Sequence, residues 1–68
     1  MDLREVMKSR RKTLGLSQQD LAEMSGVSLP TVKDIERGAG NPSLATVSKL
    51  LEVLGMKIVY ETAGGLYE

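Results

Sequence analysis

The chain has 68 residues, 41% apolar and 26% charged, with nine basic and nine acidic side chains, so it makes one small globular domain with no room for a cleft between two lobes. It contains no cysteine and no histidine, which removes disulfides, cysteine-based zinc sites and the common nucleophile–base pairs, and no apolar run reaches the roughly 18–20 residues of a membrane span or opens the chain as a signal peptide. What remains is a cytoplasmic, non-enzymatic module with no metal, cofactor or small-molecule substrate in evidence, stabilised by packing on a copy of itself or on a partner.

Leu3, Val6, Met7, Arg10 and Leu14 recur at helical spacing, which predicts an amphipathic helix over 2–13. Gly15 stands just past its end, and Arg10, Arg11 and Lys12 suit the dipole of its last turn. The zero net charge is unevenly spread here. Residues 1–12 hold five basic side chains and two acids, net +3, and the remainder carries −3. A local basic stripe matters more to a polyanion than the total does, although a basic run is often no more than a solvated helix face.

Ser17 is a cap for a second helix, 18–25, with Leu21, Ala22 and Ser25 turned inward, and Gly26 ends it. Ser28 caps a third helix, 29–37, where Pro30 is tolerated because the first turn has no intrahelical N–H bond to lose. Residues 38–42 form a loop. Its glycines make a poor phosphate loop, since no lysine-serine or lysine-threonine pair follows. Ser43 caps a fourth helix, 44–54, with Leu44, Val47, Leu50, Leu51 and Leu54 on the apolar side. The period then changes to two: Met56, Ile58 and Tyr60 share one face of a predicted strand, and Lys57, Val59 and Glu61 the other. Residues 62–68 read as a loose tail.

The informative stretch is QQDLAEMSGVSLPTVKDIER, Gln18 to Arg37. Two short helices that cross steeply need a small residue where their backbones approach, and Ala22 is there. The turn between them needs a residue at ease with positive φ, and Gly26 lies four positions on. Val27, Val32 and Ile35 supply the branched groups that anchor the second of the pair. This is helix-turn-helix spacing, although the same Leu/Ala/Gly pattern also occurs in plain helical bundles.

Residues 2 to about 55, above all LGLSQQDLAEMSGVS and IERG, resemble the phage-repressor and Cro group, the Cro/C1-type or XRE family. The resemblance implies an all-α, lambda-repressor-like DNA-binding domain of four helices over 1–55, with the third helix in the major groove of double-stranded DNA. On that footing Leu29, Pro30, Thr31, Lys33 and Asp34 face the bases. Lys33 reaches guanine O6 or N7, and Leu29 or Thr31 meets a thymine methyl. Asp34 either accepts from cytosine, stays in solvent or pairs with Lys33. The family often places glutamine at the first exposed recognition positions, and this chain departs from that with Leu29 and Pro30. Gln18 is assigned to a phosphate, the alternative being a bond to backbone at the helix start. Ser28 is a cap or a phosphate donor, and Arg37, Lys8, Arg10 and Lys12 are assigned to phosphates. Arg11 and Glu36 match a structural ion pair of the family and are withheld from the DNA surface.

A lone strand over 56–61 leaves a row of unpaired N–H and C=O groups, and its simplest partner is the same strand of a second copy, the alternative being a frayed helix extension. The segment VSKLLEVLGMKIVYE resembles the end of HipB-type antitoxins, which implies a homodimer through that strand. Three functions follow: a homodimeric repressor on a palindromic operator, an antitoxin that also binds a HipA-like toxin, or a protein-interaction module that keeps the fold without DNA.

Overall fold

The computed structural model describes residues 2–63. It has four helices: α1 (Leu3–Thr13), α2 (Gln18–Ser25), α3 (Leu29–Glu36) and α4 (Leu44–Val53). Each begins on a short polar side chain that accepts a bond from a first-turn N–H: Asp2, Ser17, Ser28 and Ser43. At Ser17 the arrangement is reciprocal. Asp20 N donates to Ser17 Oγ at 2.9 Å, and Ser17 N donates back to Asp20 Oδ2 at 2.9 Å. The helix predicted over 2–13 therefore starts one residue later, because Asp2 is its cap. Arg37 and Leu54 likewise cap α3 and α4 from outside, so those helices end at Glu36 and Val53.

One core gathers all four helices: Met7 from α1, Leu21 and Ala22 from α2, Val32 and Ile35 from α3, Val47, Leu50 and Leu51 from α4, and Leu54 at its cap. α2 packs on both α3 and α4, and α1 packs on α3. The α2–α3 turn depends on Gly26, which sits at φ +73° and ends α2 with a bond from its N–H to the Ala22 carbonyl. An added Cβ there would meet open space, so the requirement is one of backbone conformation alone.

Two leucines placed on apolar faces by their spacing are exposed. Leu14 is the C-cap of α1 and lies past the last turn that the core covers, and Leu44 opens α4 beyond the reach of the other helices. α1 thus contributes one fully buried apolar side chain, Met7, helped by half-buried Leu3.

The strand predicted over 56–61 is not formed by the chain alone. Among the described residues there is no strand, and residues 56–63 have no regular secondary structure. A strand is defined by a ladder, and a bundle of four helices offers no edge to complete one. The frayed helix extension is absent too, since the helix stops at Val53 and Gly55 follows at φ +72°. The alternation survives in the burial as far as Val59: Met56 and Ile58 pack on the core while Lys57 and Val59 are exposed, but Tyr60, predicted to share the face of Met56 and Ile58, is exposed. Of the predicted tail, residues 64–68 lie outside the described residues.

Candidate nucleic-acid interface

The α2–α3 pair is clamped from α1 by one guanidinium. Arg11 Nε donates to Glu36 Oε2 at 2.8 Å, and its Nη2 donates to Oε1 at 2.8 Å. Its Nη1 donates to the Leu16 carbonyl at 2.8 Å, in the connection that leads into α2. Gln18 Nε2 adds a fourth bond, to Glu36 Oε1 at 3.2 Å. The bidentate fork fixes both distance and plane, which lysine in place of Arg11 would not do. Glu36 is 1% exposed, and among the described residues no buried side-chain nitrogen or oxygen lacks a partner. Burial pushes the Glu36 carboxyl up, but the hydrogen bonds from Arg11 and Gln18, with the Arg11 charge, outweigh it and hold the group below the usual carboxylate range. The hydrogen bonds to Glu36, with its charge, raise Arg11 further against its own burial.

A helix turns about 100° per residue, so Arg4, Lys8, Arg11 and Lys12 occupy one sector of α1. That sector faces the C-terminal end of α3. Arg4 lies across Gly38, where an added Cβ would approach its Nη1 to 3.0 Å, and it pairs with Asp2 at 3.4 Å. Lys8 contributes a favourable charge to Glu36. The i, i+4, i+7 spacing of Arg4, Lys8 and Arg11 was the signal that Arg4 shares the side of α1 that carries Arg11.

Arg10 falls outside this sector. Its Nε donates to the Leu54 carbonyl at 2.9 Å and so closes the C-terminus of α4. Lys8 and Lys12 remain exposed.

On α3 the residues divide by exposure. Pro30, Lys33 and Arg37 are exposed, Thr31 and Asp34 half-buried. Leu29 is half-buried and packs against the core, because its position follows the inward parity of Val32. Asp34 pairs with Arg37 and not with Lys33: Arg37 Nη2 donates to Asp34 Oδ1 at 2.6 Å and Nε at 3.0 Å. The i, i+3 spacing brings the two together, whereas adjacent residues on a helix point apart. Thr31 Oγ1 and Ser28 Oγ lie 2.8 Å apart, so Ser28 is engaged as the α3 cap. Gln18 is half-buried, and its amide bonds to Glu36 in place of backbone. Its second N–H and its carbonyl oxygen keep bonding capacity at the start of α2. Asp20 already brings a negative charge to that end, held below the usual range by the Ser17 N–H.

A family model described as helix-turn-helix matches residues 7–60. The chain belongs to the Cro/C1-type helix-turn-helix family. It is similar to an uncharacterised HTH-type transcriptional regulator of Haemophilus influenzae, 45% identical over 53 residues, which covers 78% of this chain and 53% of that one. An uncharacterised HTH-type transcriptional regulator of Methanothermobacter thermautotrophicus is 38% identical over 53 residues, 78% of this chain and 77% of that one. The HTH-type transcriptional regulator DdrOP3 of Deinococcus deserti is 36% identical over 58 residues, 85% of this chain and 45% of that one. The chain therefore spans about half the length of the first and third of these relatives. No helix among the described residues is long and apolar enough to cross a membrane.

Proposed function

We propose that this chain is a sequence-specific DNA-binding transcriptional regulator that acts as a homodimeric repressor, placing α3 in the major groove of a palindromic operator. The observation that carries the reading is the clamp of Arg11 on Glu36, Leu16 and, through Glu36, on Gln18. It holds α2 and α3 at one fixed crossing and leaves Pro30, Lys33 and Arg37 uncovered on the outward side of α3. A rigid short helix with one bare face is what the groove of B-DNA admits. Family membership and the names of the relatives support the same reading.

In this account Lys33 reads guanine, and Thr31 and Pro30 bring apolar surface to a thymine methyl. Leu29 contributes at its edge only. Asp34 acts chiefly by holding Arg37, whose outer nitrogens meet a phosphate. Lys8 and Lys12 contact phosphate from α1, with Gln18 and Ser28 at the helix starts. Arg10 is tied to α4 and is a secondary phosphate contact. Two copies paired through residues 56–61 place two α3 helices about 34 Å apart, one turn of the duplex.

Fluorescence anisotropy of labelled operator and random duplexes at two salt concentrations tests the reading. Affinity should fall steeply with salt as counterions are released. Failure to bind either duplex at low salt would leave only the interaction-module reading.

A further inference from the structure

Residues 56–61 leave the bundle with an unfinished alternation. Met56 and Ile58 pack on the core, and Lys57 and Val59 face away. Tyr60 continues the inward parity and yet is 77% exposed. A groove of about 380 Å³ is lined by Ser48 and Glu52 of α4 and by Met56, Lys57, Ile58 and Tyr60 itself. Among the described residues the segment has no strand partner, and its own Tyr60 borders the groove without being covered.

A second copy supplies the strand partner and the cover in a two-fold antiparallel ribbon; this rests on the homodimer part of the function proposed above. A two-fold axis perpendicular to the ribbon maps each face onto itself, so residues directly opposed share parity. Four registers that meet this condition, those centred on residues 57, 58, 59 and 60, also keep a neighbour of the central residue on each side within the segment. Centring on Lys57 sets two lysines against each other. Centring on Ile58 sets Lys57 against the partner's Val59 and Glu61 against the partner's Gly55. Centring on Tyr60 sets Glu61 against the partner's Val59 and Lys57 against the partner's Ala63. Centring on Val59 sets Lys57 against the partner's Glu61 twice over, and Ile58 against the partner's Tyr60 twice over. Opposite charges and aromatic–β-branched pairs are the favourable cross-strand combinations, and like charges the unfavourable ones.

We infer that the two copies pair in the register centred on Val59. On the inner face the partner's Tyr60 lies against Ile58, over the groove that Ser48, Glu52, Met56 and Ile58 help to line. On the outer face two lysine–glutamate pairs flank the central valines, and those charges discourage further strands from adding to the edge.

Charge reversal on the full chain tests the register. K57E and E61K each turn two attractive pairs into two repulsive ones, and each should raise the dimer dissociation constant by roughly tenfold or more in sedimentation. An equimolar mixture of the two variants holds two opposite-charge pairs again and should form a mixed dimer. As a second reading, the chain has no cysteine, so V59C should cross-link between copies on mild oxidation faster than I58C or Y60C. Far-UV circular dichroism checks that each variant keeps its helices. Charge variants that dimerise like the wild type, a mixture that stays monomeric, or faster cross-linking of I58C would overturn the register while leaving a homodimer. A wild-type chain that is monomeric at tens of micromolar would overturn both, and DNA binding by that monomer would show the DNA reading to stand without them.

Discussion

Arg11→Ala removes the only side chain among the described residues whose hydrogen bonds join α1 to both the α2 entry and α3. Three of its donors are lost at once, two to Glu36 and one to the Leu16 carbonyl. Glu36 is left 1% exposed with only the 3.2 Å bond from Gln18. Removing one partner of a buried pair costs about 3–5 kcal/mol, most of it the uncompensated charge. Arg11 is itself 9% exposed, at the edge of the core, so the low end, about 3 kcal/mol, is expected. A domain of this size has roughly 3–10 kcal/mol of stability in all, at about 0.05–0.15 kcal/mol per residue. The loss corresponds to a fall in Tm of roughly 12–24 °C, at 4–8 °C per kcal/mol. Urea and thermal unfolding followed by circular dichroism, at fixed protomer concentration, read it.

The pH dependence separates the charge from the lost packing. In the wild type the folded pKa of Glu36 lies below its unfolded value, so its contribution is fully present above the unfolded pKa and is lost as pH falls through the folded one. In Arg11→Ala burial is no longer outweighed, the folded pKa rises, and protonation relieves the variant. The gap between the two proteins should therefore begin to shrink above the ordinary glutamate range, as pH falls through the variant's raised pKa, and go on shrinking below it as the wild type loses its own contribution. A variant within about 1 kcal/mol of wild type at neutral pH, or a gap that does not narrow in acid, would refute the clamp. Replacing both partners by apolar residues, R11M/E36L, should recover most of the lost stability.

Three further outcomes are expected. Gly26→Ala should destabilise by about 1–2 kcal/mol, because alanine must take up the left-handed conformation of the α2–α3 turn, and urea midpoints will show it. Asp34→Ala breaks an exposed pair and should change stability by less than about 1 kcal/mol, but it frees Arg37 and should strengthen binding to random duplex with a steeper salt slope. An unchanged slope would mean that Arg37 is remote from the phosphates. Lys33→Ala should lower discrimination between operator and random duplex, whereas Gln18→Ala should weaken both about equally; the reverse pattern would exchange their roles.

The four helices were legible in the sequence because their signals are local. A serine cap marks three of them, an apolar repeat and a glycine at the end mark all four, and Gly26 specified the turn by its own conformation; the Asp2 cap of α1 was taken into the helix. The errors came from the same local reasoning. Spacing put Leu14 and Leu44 on apolar faces, but exposure is decided by whether another element lies opposite. The family resemblance, and not spacing, put Leu29 among the base-facing residues; it sits one turn from Val32 and is half-buried against the core. The side-chain network was less legible still. Arg11 and Glu36 are 25 residues apart, and only the family resemblance linked them. Arg10 and the Leu54 carbonyl are 44 apart, with nothing in either segment to announce the bond. Residues 56–61 show the limit most plainly: period-two patterning marks an extended segment, but a strand needs a neighbour, and the described residues offer none.

The central claim is that α3, presented twice by a two-fold pair, reads a duplex. Selection of bound sequences from a random DNA pool, with the full chain, tests it most directly. The account predicts enrichment of an inverted repeat whose half-sites are centred about one helical turn, 10–10.5 base pairs, apart. Enrichment of an unrepeated site, or no enrichment at low salt, would contradict it.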